Sequence, residues 1–428
     1  MADKIMDTAQ AFLRFIDAAP TPYHAAADVA ERLANAGFAA LRLDERWSAG
    51  VSRAFVRAGD GAIVAFTGDM GRIGDGAVVL AAHTDSPALR VREHSVSWKK
   101  GYLRLPTEIY GGPIVPSWLD RDLGIAGRAA IRDGGVRMVR LPQTAIIPNL
   151  AIHLNRKINE GFEYNAHDHM AALAAAAAGT ADGNAVETLR SWVADAAGVA
   201  IDDIAEFELL LFDATAPSFL GSDQSLYAAS RIDNLVGCFS SLEAFLRCRS
   251  DRVRILVLFN HEEVGSMSAE GAQSGLMRNV LRRLVSVSGG DAEDAEVAAA
   301  RSVVISNDAA HAIHPSYADK YDPDYAPVLG GGPVLKLNGM YRYATTAAGA
   351  AGFAAACSRA GVPMQRLLNR SDLRSGSTVG PITWAQTGIP TIDVGVPLLA
   401  MHSIRETAGS ADVELTVRAL CGFLEGEE

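Results

Sequence analysis

Several apolar runs in this chain end abruptly in side chains that can bind metal or move protons. VVLAA (78–82) is followed by His83-Thr84-Asp85, ILVLF (255–259) by Asn260-His261-Glu262-Glu263, and VVIS (303–306) by Asn307-Asp308. TIDVGVPLLA (391–400) leads within two residues to His402, and Asp233 sits in SRIDNLVGC (230–238), at the start of a helical stretch. Imidazole nitrogen and carboxylate oxygen are ordinary zinc ligands, and a carboxylate can bridge two ions about 3.5–4 Å apart. Taken singly, each residue has a plainer reading. An Asp after a strand usually caps a helix, and a Glu-Glu pair is usually a solvated surface pair. Recurrence at the ends of apolar runs favours one shared divalent-metal centre. There is no HExxH, so a single-helix zinc site is not the arrangement.

The elements that must position these groups are legible. AIVAF (62–66), VVLAA, ILVLF and VVIS are continuously apolar, as strands buried on both faces should be. Helical spacing covers 5–17, 22–37, 241–248 and 275–285. The fold class expected is α/β, a mixed sheet sandwiched by helices, and in such sheets ligands bind beyond the carboxyl ends of the strands. Glu262 and Glu263 are adjacent, and side chains alternate along a strand. For both to serve one centre, the strand must end by Phe259 or Asn260 and the backbone must turn through the pair.

Residues 95–150 have another texture, with short runs broken by Gly, Pro and Arg, and read as small β structure. The Ala-rich stretch 170–200 reads as helical with a GTADGN break (179–184), and SGGDAEDAEV (288–297) as an acidic surface loop. The organisation expected is a discontinuous catalytic domain, 1–90 plus 230–428, interrupted by a β-rich insert at 91–229. With 428 residues, 49% apolar and 21% charged, the chain is globular and long enough for two domains. Its net charge of −11 argues against nucleic acid as a partner. The four cysteines are scattered, no apolar stretch reaches membrane-span length and the N-terminus lacks a signal-peptide pattern, so a cytoplasmic protein is expected.

Eight segments, in order along the chain, closely resemble the aspartyl aminopeptidase family of dinuclear zinc exopeptidases. They are AAHTDSPALR (81–90), IPNLAIHLNR (147–156), SRIDNL (230–235), FNHEEVGS (259–266), ISNDAAHAIHP (305–315), GGPVLKLNGMYRYAT (331–345), SGSTVGPI (375–382) and AMHSIRE (400–406). The resemblance implies a zinc exopeptidase-like fold whose β-rich insert serves oligomerisation, dimerisation or as a lid. It implies two Zn²⁺ per subunit, with Mn²⁺ or Co²⁺ as substitutes: Asp233 bridging, His83 and Asp308 on one ion, Glu263 and His402 on the other. It makes Glu262 the general base and Asp85 the residue that orients His83 or tunes the metal. It implies that His153 reaches a neighbouring subunit's active site and that Lys336 recognises acidic substrates. Without the resemblance, Lys336 reads as a strand-edge residue pointing to solvent.

The activity implied is release of N-terminal residues, preferably Asp or Glu, from peptides with a free N-terminus, by a homo-oligomer, commonly a dodecamer built from dimers. The alternatives are an aminopeptidase of broader specificity and a non-catalytic, zinc-stabilised shell. SGSTVGPI lacks the lysine of a phosphate loop, and its glycines read as allowing close backbone approach.

Overall fold

The computed structural model describes residues 2–177 and 183–426. The chain forms two compact units. The first comprises Met1–Asp85, Pro217–Met401 and Glu406–Glu428, and the second Ser86–Ala216 with the short segment His402–Arg405.

The first unit is built on a nine-stranded sheet. Its strands are β1 (Ala39–Leu41), β2 (Arg53–Ala58), β3 (Ala62–Thr67), β4 (Val78–His83), β5 (Arg254–Phe259), β6 (Val303–Asn307), β7 (Val334–Leu337), β8 (Gln365–Leu368) and β9 (Thr391–Gly395). The order across the sheet is β1-β2-β3-β5-β4-β6-β9-β7-β8. The centre, β5-β4-β6-β9, is parallel, with Phe259 opposite His83 and Ser306 opposite Ala81. Alternation sorts the apolar residues onto two faces. Leu256 and Leu258 of β5 join Leu80 of β4 in one core, with Phe12, Phe239 and Leu420 from helices Ala2–Ala18, Ile232–Arg247 and Ser410–Glu425. Ile255, Val257 and Phe259 join Val79 in the other, against helices Leu276–Val287 and Ala292–Arg301. Both faces are thus covered, and each fully buried Leu or Phe contributes about 1.5–3 kcal/mol. A five-stranded sheet completes this unit and carries Glu406 at the start of Glu406–Gly409.

The second unit is a mainly antiparallel sheet over a separate core, in the order Ala171–Ala176, Tyr102–Tyr110, Ala88–Val91, Ile204–Asp213, Leu123–Ile131, Val136–Ala145. Helix Ala185–Ala197 packs on it through Leu189 and Val193.

Two sequence expectations are corrected. Ala171–Ala176 is a strand, paired with Tyr102–Tyr110, and only Ala185–Ala197 of the Ala-rich stretch is helical. A short alanine helix is marginal alone, and here ladder hydrogen bonds and burial of Ala171 and Ala172 override the intrinsic preference. The GTADGN break lies largely outside the described residues. The acidic stretch 288–297 is not a loop throughout. Asp291 accepts the N–H groups of Glu293 and Asp294, closing a capping box that starts helix Ala292–Arg301.

Candidate metal centre

β4, β5 and β6 are neighbours and run the same way, so their carboxyl ends deliver His83, the Glu262-Glu263 turn and Asp308 to one edge. His83 Nδ1 lies 3.0 Å from the Asp85 carbonyl oxygen. A carbonyl can only accept, so Nδ1 carries a proton, and Nε2 is the nitrogen left to face a metal ion. Nε2 lies 3.4 Å from Asp308 Oδ1 and 3.7 Å from Asp233 Oδ1. Both separations are longer than an ordinary N–H···O bond. They are close to the edge of a tetrahedron with metal bonds near 2.0 Å, about 3.3 Å. All three residues are buried. The donor set and its spacing therefore fit zinc. Ligand atoms of His83, Glu262 and Glu263 form a second such group.

The doubled glutamate is arranged by three devices. β5 stops at Phe259, and His261 adopts a left-handed conformation (φ 63°), so Glu262–Val264 turns as a 3-10 helix. His261 itself looks elsewhere, with Nδ1 2.7 Å from Ser268 Oγ. The Asp85 carboxylate then accepts both backbone N–H groups of the pair, Glu262 to Oδ1 and Glu263 to Oδ2, each at 3.1 Å. Asp85 is fully buried and links His83 to the glutamate turn, with its carbonyl on one and its carboxylate on the other.

Asp233 and Asp308 are tied together through their neighbours. Asn234 Nδ2 donates to the Asn307 carbonyl, and Asn307 Nδ2 donates to Ser240 Oγ at 2.8 Å and Ser241 Oγ at 3.0 Å. Gly237 must be glycine here, because a Cβ would meet Asn234 and the Asn307 carbonyl. The Asp233 N–H donates to Glu406 Oε2 at 3.0 Å. Glu406 is 2% exposed and was not singled out from the sequence, although it ends the AMHSIRE segment.

The electrostatics are those of crowded buried charge. Burial alone would depress the His83 pKa, but the carboxylates of Asp308 and Asp85 raise it well above the ordinary imidazole value. Burial pushes the Glu262 carboxyl up to about 7, with His83 opposing and Asp308, Asp85 and Asp233 adding. Asp308 is held well below the usual carboxylate range by Lys336 and His83, against its own burial. Lys336 does not reach solvent. It is 2% exposed, with Nζ 3.3 Å from Asp308 Oδ2 and 5.4 Å from the Tyr343 ring centre.

His402 belongs to the second unit's segment, where its Nδ1 meets the Gly112 carbonyl at 3.0 Å. His153 lies in an exposed turn of the second unit. Of SGSTVGPI, Thr378 caps helix Val379–Thr387, and Gly380 lies so close to the Asp393 carboxylate that a Cβ would collide with it. Its close approach is to protein.

A helix-covered mixed sheet with histidine and carboxylates gathered at parallel strand ends defines a metallohydrolase of the zinc-exopeptidase class. Residues 15–424 match the family described as aminopeptidase I zinc metalloprotease (M18). The chain is 41% identical over 425 residues to a probable M18 family aminopeptidase 2 of Pseudomonas syringae pv. syringae, covering 97% of each. It superposes on a chain of the cryo-EM structure of the Ape4 and Nbr1 complex with a TM-score of 0.93 and 34% identity, covering 99% of this chain and 86% of that one. The S. cerevisiae mApe1 dodecamer gives a TM-score of 0.83 at 27% identity, with 98% and 96% covered. The chain belongs to the M18 family of zinc metalloaminopeptidases. It is accordingly an aminopeptidase, a hydrolase of peptides, and among the described residues no helix is long and apolar enough to cross a membrane.

Proposed function

We propose that the chain releases N-terminal residues, preferably Asp or Glu, at a centre of two zinc ions per subunit, with Glu262 as general base. Asp233 would bridge the ions, His83 and Asp308 would complete one ligand set, and Glu263 and His402 the other. Mn²⁺ and Co²⁺ suit the same donors. When bound, the ions would supply Lewis acidity toward the scissile carbonyl and a water acidic enough to be deprotonated near neutral pH. Glu262 takes that proton and returns it to the leaving amine. Burial raises the proton affinity of the Glu262 carboxyl, which favours its taking up that proton. Asp85 keeps His83 in its ligating tautomer and keeps Glu262 and Glu263 in their separate positions.

The observation that carries this reading is the buried approach of His83 Nε2 to Asp233 and Asp308 beside a turn bearing both glutamates. The preference for acidic N-terminal side chains rests on the family resemblance at Lys336, whose ammonium is here paired with Asp308. The dodecamer of the mApe1 relative supports a homo-oligomer for this chain. In such an assembly the β-rich unit would make dimer contacts or a lid, and His153 would serve a neighbouring site. A cytoplasmic setting fits the same reading.

The test is a panel of peptides beginning with Asp, Glu, Leu and Lys, assayed with the zinc-loaded, chelated and reloaded protein. Turnover of Asp and Glu substrates that falls on chelation and returns with zinc is expected. Faster turnover of Leu or Lys substrates would replace the acidic preference with broad specificity. Lys336→Ala is expected to weaken cleavage of acidic substrates more than neutral ones; an equal loss on both removes Lys336 from the substrate pocket.

A further inference from the structure

The first unit has a second concavity, a cleft of about 920 Å³. Among the described residues, seven cationic side chains line it against three carboxylates, on a chain of net charge −11. It lies at the other edge of the central sheet. Arg252 comes just before β5 and Arg72 before β4, whereas the metal-binding residues follow those strands. Six-residue strands rise about 20 Å, so the two places are separated by the full height of the sheet.

The plain explanation is that arginines gather where helices end, because the exposed carbonyls there attract cations. It accounts for part of the cluster. Arg418 donates to the Ala360 carbonyl, and Arg359 to the Gly422 carbonyl at 3.3 Å. Arg247 is taken by Glu243 and Glu414, each at 2.8 Å. It bears on Arg252 as well, whose guanidinium lies against Gly426 just past helix Ser410–Glu425, but it leaves both Arg249 and Arg252 without a neutralising carboxylate. Among the described residues neither has a carboxylate within salt-bridge distance, yet both line the cleft, whose other cations are already held in place.

We propose that this cleft binds a compact polyphosphate, a small ligand with several closely spaced phosphoryl groups. Guanidinium groups dominate the lining, and their planar forks match phosphoryl oxygens in pairs. The volume exceeds what one phosphate fills and is within the range of small-molecule sites. Among the described residues no aromatic side chain lines the cleft, so they offer no stacking surface for a nucleobase. The ligand is therefore recognised by its charge and oxygens alone. Arg249 and Arg252 supply the contacts, and the pre-paired arginines supply a rigid positive floor.

Isothermal titration of the zinc-loaded protein with tripolyphosphate tests this. One saturable site per chain is expected, weakening as salt is raised. The Arg249→Glu, Arg252→Glu double variant is expected to bind about a hundredfold more weakly, about tenfold per arginine, with wild-type kcat and KM on peptides. Binding that survives in the double variant overturns the site, and is what zinc chelation by the probe would give. Equal binding of citrate overturns the phosphoryl class, and no saturable binding overturns the proposal outright. If the double glutamate variant does not fold, Arg249→Gln with Arg252→Gln gives the same readout.

Discussion

Asp85 shows how much one buried carboxylate can organise. Its two oxygens accept the two N–H groups that set the directions of Glu262 and Glu263. In Asp85→Asn one acceptor becomes an N–H donor facing another donor, an arrangement with a cost similar to a lost buried hydrogen bond. The variant is expected to remain folded and to lose about 10–100-fold in kcat or zinc affinity, separated by steady-state kinetics and metal analysis. Glu262→Gln differs: it should keep zinc and lose about 10²–10⁴-fold in kcat. A fully active Glu262→Gln protein would remove the general-base role. Cys238 is a residue to leave aside. Its thiol donates to the His83 carbonyl at 2.9 Å, and burial pushes its pKa up to about 12. Mass spectrometry after alkylation of the native enzyme at pH 8 should find Cys238 unmodified, and modified only after unfolding.

Among the elements, helices Ala2–Ala18, Ile232–Arg247 and Ser410–Glu425 meet at Glu414. Its Oε2 accepts from Thr8 at 2.7 Å and from Arg247 at 2.8 Å, and Lys4 lies 3.3 Å from Oε1. Burial raises the Glu414 pKa, but the Thr8 and Arg247 bonds overcome it and leave the pKa below the ordinary value. The folded state therefore binds that proton less readily than the unfolded chain. The stabilisation is complete above the unfolded pKa of about 4.3 and is lost as pH falls through the folded value. Glu414→Gln should cost about 1.5–3 kcal/mol at pH 7, a difference that shrinks below about pH 4 in denaturant titrations. At the metal edge, β9 passes so close to β6 that a Cβ on Gly395 would overlap the Asp308 carbonyl. Gly395→Ala should cost about 1–3 kcal/mol of stability and also weaken zinc binding, since Asp308 must shift.

At the scale of the whole molecule, the family assignment spans nearly the full chain, while the assembly is proposed by analogy with a dodecameric relative. Sedimentation velocity should give a particle of twelve chain masses. A monomer that is fully active would end the proposed role of His153 in a neighbouring site.

Strand positions, strand ends and most metal-binding candidates could be read directly from the sequence, because buried parallel strands leave continuous apolar runs and the residues after them face a common edge. The break after Phe259 followed from the impossibility of two adjacent strand residues serving one centre. Local pattern did not reveal that Ala171–Ala176 is a strand, since only its partner, some 65–75 residues earlier, supplies the ladder. Nor did it reveal that Lys336 is buried against Asp308, that Glu406 holds the Asp233 N–H, or that Asp85 grips both glutamates. The types and order of the reactive groups are properties of the sequence. Their tautomers, proton affinities and mutual distances come from contacts between segments far apart in the chain, His83 with Asp308 among them, which exist only once the sheet has brought its strand ends together.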